Sequence, residues 1–359
     1  MKYVTEYRNA DLVAEYIEKL HQITTRTWTI MEVCGGQTHS LVKNGLLDRL
    51  PEKIEIVHGP GCPVCVTPIH LIDAAIMLAE KEKVILCTFG DMMRVPGSKQ
   101  SLLGAKADGA DIRMVYSPLD AVGIAQKTPD RDVVFFGVGF ETTAPANALS
   151  VVQAEKLALT NYSVLSAQVL VPPAMEAILS DEDQRIQAFL AAGHVCTVMG
   201  TWEYPPISEK YNVPIIVTGF EPVDLIQGIY KAVQQLEAGE SFVENQYARV
   251  VTEKGNMAAQ DVIFTVYEKG IREWRGIGPI PDSGYRMKPE FSAFDAVIKY
   301  NLSKGEVDVE TGCISGEIMK GKKKPVDCPA FGTLCTPENP LGAPMVSSEG
   351  ACAAYFHYK

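Results

Sequence analysis

From about residue 25 to 235 the chain repeats one pattern: a short apolar run rich in β-branched residues, a Gly/Pro turn, then a stretch with helical spacing. The runs TWTIMEV, KIEIVHG, KVILCTFG, IRMVYS, DVVFFGVG, YSVLSAQVL, HVCTVMG and VPIIVTGF predict strands buried on both faces. TPIHLIDAAIMLAEKE, APANALSVVQAEKLAL and EPVDLIQGIYKAVQQLEAG fall between them and predict helices. Strands alternating with helices imply an α/β fold with parallel sheets and right-handed crossovers. The length of this region favours two smaller α/β units over one large sheet. An internal echo fits that division: one strand ends in Gly139-Phe140-Glu141 and another in Gly219-Phe220-Glu221, each running into a helix.

Beyond residue 240 the pattern changes. ENQYARVVTEKGNMAAQDVIFTVYEK reads as an amphipathic helix, and a Gly/Pro-rich segment with four cysteines follows it. A loop-rich tail of this kind has little apolar core of its own and calls for a metal staple. The opening helix, roughly residues 8 to 22, has no place in the α/β pattern and is expected to pack on the tail.

Composition narrows the function class. Hydrophobic residues make up 47% and charged residues 21% of the 359, as in a multidomain globular protein. No apolar run is long enough for a membrane span, and the N-terminus lacks the features of a signal peptide, so a cytoplasmic chain is expected. The net charge of −11 argues against nucleic acid, and the basic run KGKKKP reads as a solvated turn. Nine cysteines in a reducing compartment point to metal ligands or redox groups rather than structural disulfides.

Cys34 stands where a predicted strand ends and CGGQTH turns into a helix. A helix N-terminus and the nearby His39 are expected to favour its thiolate. Cys62 and Cys65 take the equivalent place after the next strand, in GPGCPVCV. Three thiols are thereby presented at adjacent strand ends, where α/β sheets bind ligands. The Cys-X-X-Cys spacing suits a redox dithiol, and equally half of a zinc site. Cys87 and Cys196 lie within predicted strands as small buried hydrophobes.

In the tail, Cys313, Cys328, Cys335 and Cys352 can close a zinc site or hold a [4Fe–4S] cluster; the lack of short Cys knuckles favours the cluster. Glu141 either caps a helix or lines the thiol rim, and Glu221 poses the same choice. His58, His70, Asp91 and Arg94 are further candidates for the cleft. Walker, dinucleotide and GxSxG motifs are absent from the sequence.

CGGQTH, GPGCPVCV, GFETTAPANAL and the terminal DCPAFGTLCTPENPLGAPMVSSEGACAAYFHYK together resemble the HypD family of hydrogenase maturation factors, in order and over nearly the whole chain. The resemblance implies two α/β domains of similar topology and a third, loop- and helix-rich iron–sulfur domain. The chain then divides into 25–120, carrying Cys34 and the dithiol; 121–237; and an iron–sulfur unit of 1–24 with 238–359. It further implies a scaffold for the Fe(CN)2CO group of [NiFe] hydrogenase, paired with the small chaperone HypC. Cyanide would come from HypE, which makes a thiocyanate from a carbamoyl group supplied by HypF. By the same resemblance Cys34, with His39 close by, would hold the iron transiently, together with a cysteine of the chaperone. Cys62 and Cys65 would be the redox dithiol, and Cys313, Cys328, Cys335 and Cys352 the cluster ligands. One position departs from the family pattern: Pro344 stands in GAPMVSSEG where a cysteine is expected, which puts the fourth ligand on Cys313. These features describe an assembly scaffold with redox activity. The alternatives are a stand-alone iron–sulfur thiol-disulfide reductase, in which Cys34 would be idle, and a zinc-stapled binding module.

Overall fold

The computed structural model describes residues 5–302 and 312–359, whose strands form two parallel sheets and one antiparallel hairpin. In chain order the strands are β1 (Trp28–Glu32), β2 (Ile54–His58), β3 (Val84–Thr88), β4 (Ile112–Met114), β5 (Asp132–Gly139), β6 (Tyr162–Gln168), β7 (Ala188–Ala192), β8 (Ile215–Thr218), β9 (Val243–Asn245), β10 (Tyr267–Trp274) and β11 (Gly278–Met287). One sheet has the order β2-β1-β7-β8-β9 and the other β4-β3-β5-β6. Each places its second strand, then its first, third and fourth, so the two α/β units share a topology. In both, strand order reverses between the first and third strands, where the crossover helices diverge and open a crevice at the carboxyl ends.

The sheets interleave along the chain. All four strands of the second sheet lie between β2 and β7 of the first, so strand pairing crosses the expected division at 120/121. Side-chain parity explains how the two units join. Met31, Val57, Phe189 and Val217 of the first sheet share one core with Leu86, Val134, Phe136 and Leu165 of the second. Ile30, Ile56, Leu190 and Ile216 face the opposite way and pack with the helices outside the first sheet.

Three expectations change. HVCTVMG is a helix, Gly193–Met199, and the strand is the preceding Ala188–Ala192. An unbroken apolar run hides the boundary, and AFLAA contains no β-branched residue to mark it. Cys196 is therefore helical, though fully buried as anticipated. The opening helix α1 (Ala10–Ile23) packs on the helix Pro222–Ala238, because its stripe Val13, Ile17 and Leu20 meets Ile229, Ala232, Val233 and Leu236 beside the first sheet. The long helix expected after residue 240 is confined to Met257–Val266, started by the Asn256 side chain, which accepts from Ala259 N. The β10–β11 hairpin follows it; Pro279 and Pro281 on β11 obscured its strand pattern. Among the described residues no helix is long and apolar enough to cross a membrane.

Candidate functional site

Cys34 closes β1 and caps helix α2 (Gly35–Lys43). It stands at the reversal point of the first sheet, between the ends of β1 and β7. There the helix Gly193–Met199, which follows β7 directly, delivers His194 in its first turn, with Nε2 3.0 Å from the Cys34 Sγ. Phe220 stacks on the imidazole at 4.5 Å between ring centroids. His39 turns the other way: its Nδ1 is 3.3 Å from the Ser348 carbonyl and its ring meets Tyr358. The histidine at the thiol is thus His194, which the sequence reading missed. Its only signal was a Gly-His step at the end of an apolar run.

Cys34 is 2% exposed, and burial pushes its thiol well above the ordinary cysteine range. The negative charge of Glu349 adds to this; the backbone N–H groups of Gly36 and Gln37 oppose it without prevailing. The expectation that the helix N-terminus leaves a thiolate is thus reversed. Burial likewise lowers the His194 pKa, which favours the neutral ring.

The turn after β2 lies directly on Cys34. A side chain at Gly61 would place its Cβ 2.3 Å from the Cys34 backbone nitrogen, so only glycine admits this approach. The same turn starts the short helix α3 (Pro63–Val66), capped by Cys62, whose sulfur accepts from Cys65 N. Cys62 and Cys65 are joined in a disulfide. Their sulfurs are spent on each other.

Two neighbouring cavities connect these thiols to the tail. The first is lined by Cys62, Cys65, His58, Thr38, Ile318, Pro344 and Glu349, among others. The second is lined by Cys313, Cys328, Cys335 and Cys352 with Ile314, Phe331, Gly342 and Met345. Ile318 and Pro344 line both and form the wall between them. Gly342 makes room for the fourth thiol, since a Cβ there would sit 2.4 Å from the Cys313 sulfur. The Leu341 N–H donates to the Cys335 sulfur at 3.3 Å. Burial raises the thiols of Cys335 and Cys352, and the neighbouring thiols act in the same direction. Among the described residues no three His, Cys, Asp or Glu side chains converge closely enough to hold a single metal ion; the four thiols border a space.

The remaining candidates have structural partners. Glu141 is fully buried, accepts from Val171 N at 2.9 Å, and does not line the thiol cavity. Its pKa is pushed up to about 8 by burial. Glu221 pairs with Arg8 and caps the following helix. Asp91 accepts from the Ser347 hydroxyl and Arg94 donates to the Val346 carbonyl, so both fasten the C-terminal segment to the second sheet. His70 faces Glu273 at 3.8 Å. Burial raises both Cys87 and Cys196 to about 12, in keeping with inert core thiols. The basic turn is half-buried rather than freely solvated, with Lys322 on Asp181 and Lys324 on Glu55.

Sequence comparison decides the family. The HypD profile, described as the hydrogenase formation hypA family, matches residues 11–359. This chain belongs to the HypD family. It is 47% identical over 370 residues to the hydrogenase maturation factor HypD of Rhodobacter capsulatus, covering 100% of this chain and 98% of that protein. It is similarly related to the hydrogenase maturation factor HypD of Escherichia coli K12, with 46% identity over 367 residues and the same coverage of both chains. The match to this HypD-family chain runs through both α/β units and the four-cysteine tail.

Proposed function

We propose that this chain is the scaffold on which the Fe(CN)2CO group of [NiFe] hydrogenase is assembled, in complex with a HypC-type small chaperone and supplied with cyanide by a HypE-type donor. The observation that carries this reading is the alignment of three thiol stations: Cys34, the Cys62–Cys65 disulfide beside it, and four thiols behind the wall of Ile318 and Pro344. A stand-alone disulfide reductase would use only the last two stations. Cys34, fixed at the reversal point against His194, would then have no task.

Ferrous iron bearing cyanide and carbon monoxide is soft and is suited by thiolate ligands. Cys34 supplies one such ligand, and a cysteine of the chaperone supplies another. Because the free thiol is buried and protonated, taking iron displaces its proton. The neutral imidazole of His194 is the ring facing that sulfur.

The tail cavity fits a [4Fe–4S] cluster on three grounds. Its donor set is four thiols, Gly342 leaves the space that a side chain would fill, and a backbone N–H already points at a ligand sulfur. Cys313, Cys328, Cys335 and Cys352 would hold it, and when bound it would supply single electrons beside the disulfide. Opening the Cys62–Cys65 disulfide takes two electrons and two protons and gives two thiols. Both sulfurs line the cavity whose opposite wall belongs to the tail.

Iron, zinc and acid-labile sulfide per chain, measured on anaerobically purified protein, test the reading. About four irons and four sulfides are expected, as a cubane cluster requires. One zinc without sulfide would leave the disulfide with no internal electron source and overturn the redox part of the proposal.

A further inference from the structure

The carboxylate of Glu32, at the end of β1, gathers three donors. Cys34 N lies 2.9 Å from Oε2, and Oε1 accepts from the Thr38 hydroxyl and from His58 Nδ1, the latter at 2.6 Å. His58 closes β2, and its Nε2 lies 2.9 Å from the hydroxyl of Tyr355. The Tyr355 ring stands edge-on to the imidazole at 5.3 Å. Glu32, His58 and Tyr355 are 0%, 2% and 4% exposed. Tyr355 sits on the C-terminal helix Ala351–Tyr358, three residues beyond Cys352 and on the same helix face. One buried chain of hydrogen bonds therefore runs from the helix carrying a tail thiol to the backbone of Cys34.

The roles along this chain follow from donor and acceptor chemistry. An ionised carboxylate only accepts, so Nδ1 of His58 donates to Glu32; in the neutral ring, Nε2 then accepts from Tyr355. The ring is thus held at both nitrogens, as hydrogen-bond partners behind a ligating group hold it at metal sites. Removing the Tyr355 hydroxyl would leave one nitrogen of a sealed imidazole without its partner, and the Glu32 carboxylate would lose its fixed orientation.

We infer that His58 and Tyr355 are positioning residues that tie the Cys34 turn to the C-terminal helix and hold the Cys34 thiol in its closed place against His194. The inference rests on the assignment of Cys34 as the iron-holding thiol and of the tail as the cluster site. It adds a link between them: the seating of the helix that carries Cys352 sets the backbone of the residue that takes the iron. Neither His58 nor Tyr355 touches the iron; they act through Glu32.

The test is the rate at which iodoacetamide alkylates Cys34 in the full-length, anaerobically purified protein at fixed pH, read by site-resolved mass spectrometry. Tyr355→Phe keeps the ring and removes only the hydroxyl; His58→Asn keeps an N–H for Glu32 and gives up Tyr355. Each is expected to raise the Cys34 rate about tenfold, roughly the worth of one buried hydrogen bond. The double variant should match either single one, because both break the same link. Cys87 and Cys196, buried in the α/β units, serve as controls and should keep their rates. An unchanged Cys34 rate in Tyr355→Phe overturns the inference, as does a rise shared equally by Cys87 and Cys196, which would signify general loosening. Iron and sulfide analysis of the same samples separates the two levels. Wild-type protein without iron and sulfide would count against the proposed function, while an unmoved Cys34 rate in cluster-loaded Tyr355→Phe would remove the link alone.

Discussion

At the scale of single residues, burial outweighs local signals. The helix N-terminus at Cys34 reads as an activating feature in the sequence, yet sealing the sulfur from water moves its pKa upward. Such a thiol is shielded from solvent and from oxidants. Gly61 shows the same dependence on close packing. In Gly61→Ala the new Cβ would collide with the Cys34 and Val33 backbone, which cannot move as a flexible side chain could. The substitution is expected to cost on the order of 3 kcal/mol in chemical denaturation and to speed Cys34 alkylation. Glu141 offers a pH test. Its carboxyl titrates near 8 in the folded chain against 4.5 when unperturbed, so its contribution is full below about pH 4.5 and is lost as pH rises towards 8. The wild type should therefore lose stability relative to Glu141→Gln across that window in thermal melts; parallel curves would refute the assignment.

At the scale of elements, the tail is the part least able to hold itself. Its own buried cluster is small, made of Ile318, Ala330, Met345 and the thiols Cys335 and Cys352. A cluster held there, as proposed, would also supply folding free energy. Cys328→Ala is expected to lose iron and sulfide and to expose the amides of Ala351–Tyr358 to faster hydrogen exchange, leaving β1 and β5 protected. Gly342→Ala should do the same without removing a ligand, because its Cβ would occupy the space beside the Cys313 sulfur. Full cluster content in Gly342→Ala would show that this space is not part of the site. The elements differed in how clearly the sequence announced them. Strands such as DVVFFGVG were legible because β-branched and aromatic residues ran unbroken between turns. Ala188–Ala192 was hidden because it is built of residues that helices also favour and runs directly into one.

At the scale of the molecule, the sequence pattern disclosed an α/β fold, and the resemblance supplied two units of like topology. Sheet membership was another matter, because a stretch of chain can be inserted between two strands of one sheet without altering any local pattern. The site was legible to the same degree. The thiol motifs marked Cys34, Cys62 and Cys65, since strand ends and glycine turns have a local signature. His194, Glu349 and Tyr355 approach Cys34 or its neighbours from positions 160 to 321 residues away along the chain, and nothing in their local sequence reports that approach. The chain order explains why the C-terminal segment matters so much. It returns across both sheets, bonded to Asp91 and Arg94 of one and to His58 of the other, and brings the tail cavity against the disulfide. The central claim is that Cys34 holds the iron under construction. The direct measurement is the infrared spectrum of this chain co-purified anaerobically with the proposed HypC-type chaperone, for wild type and Cys34→Ala. Cyanide and carbon monoxide stretching bands in the wild type, absent from Cys34→Ala at unchanged cluster iron and sulfide, are the predicted result. Bands of equal strength in Cys34→Ala would contradict it.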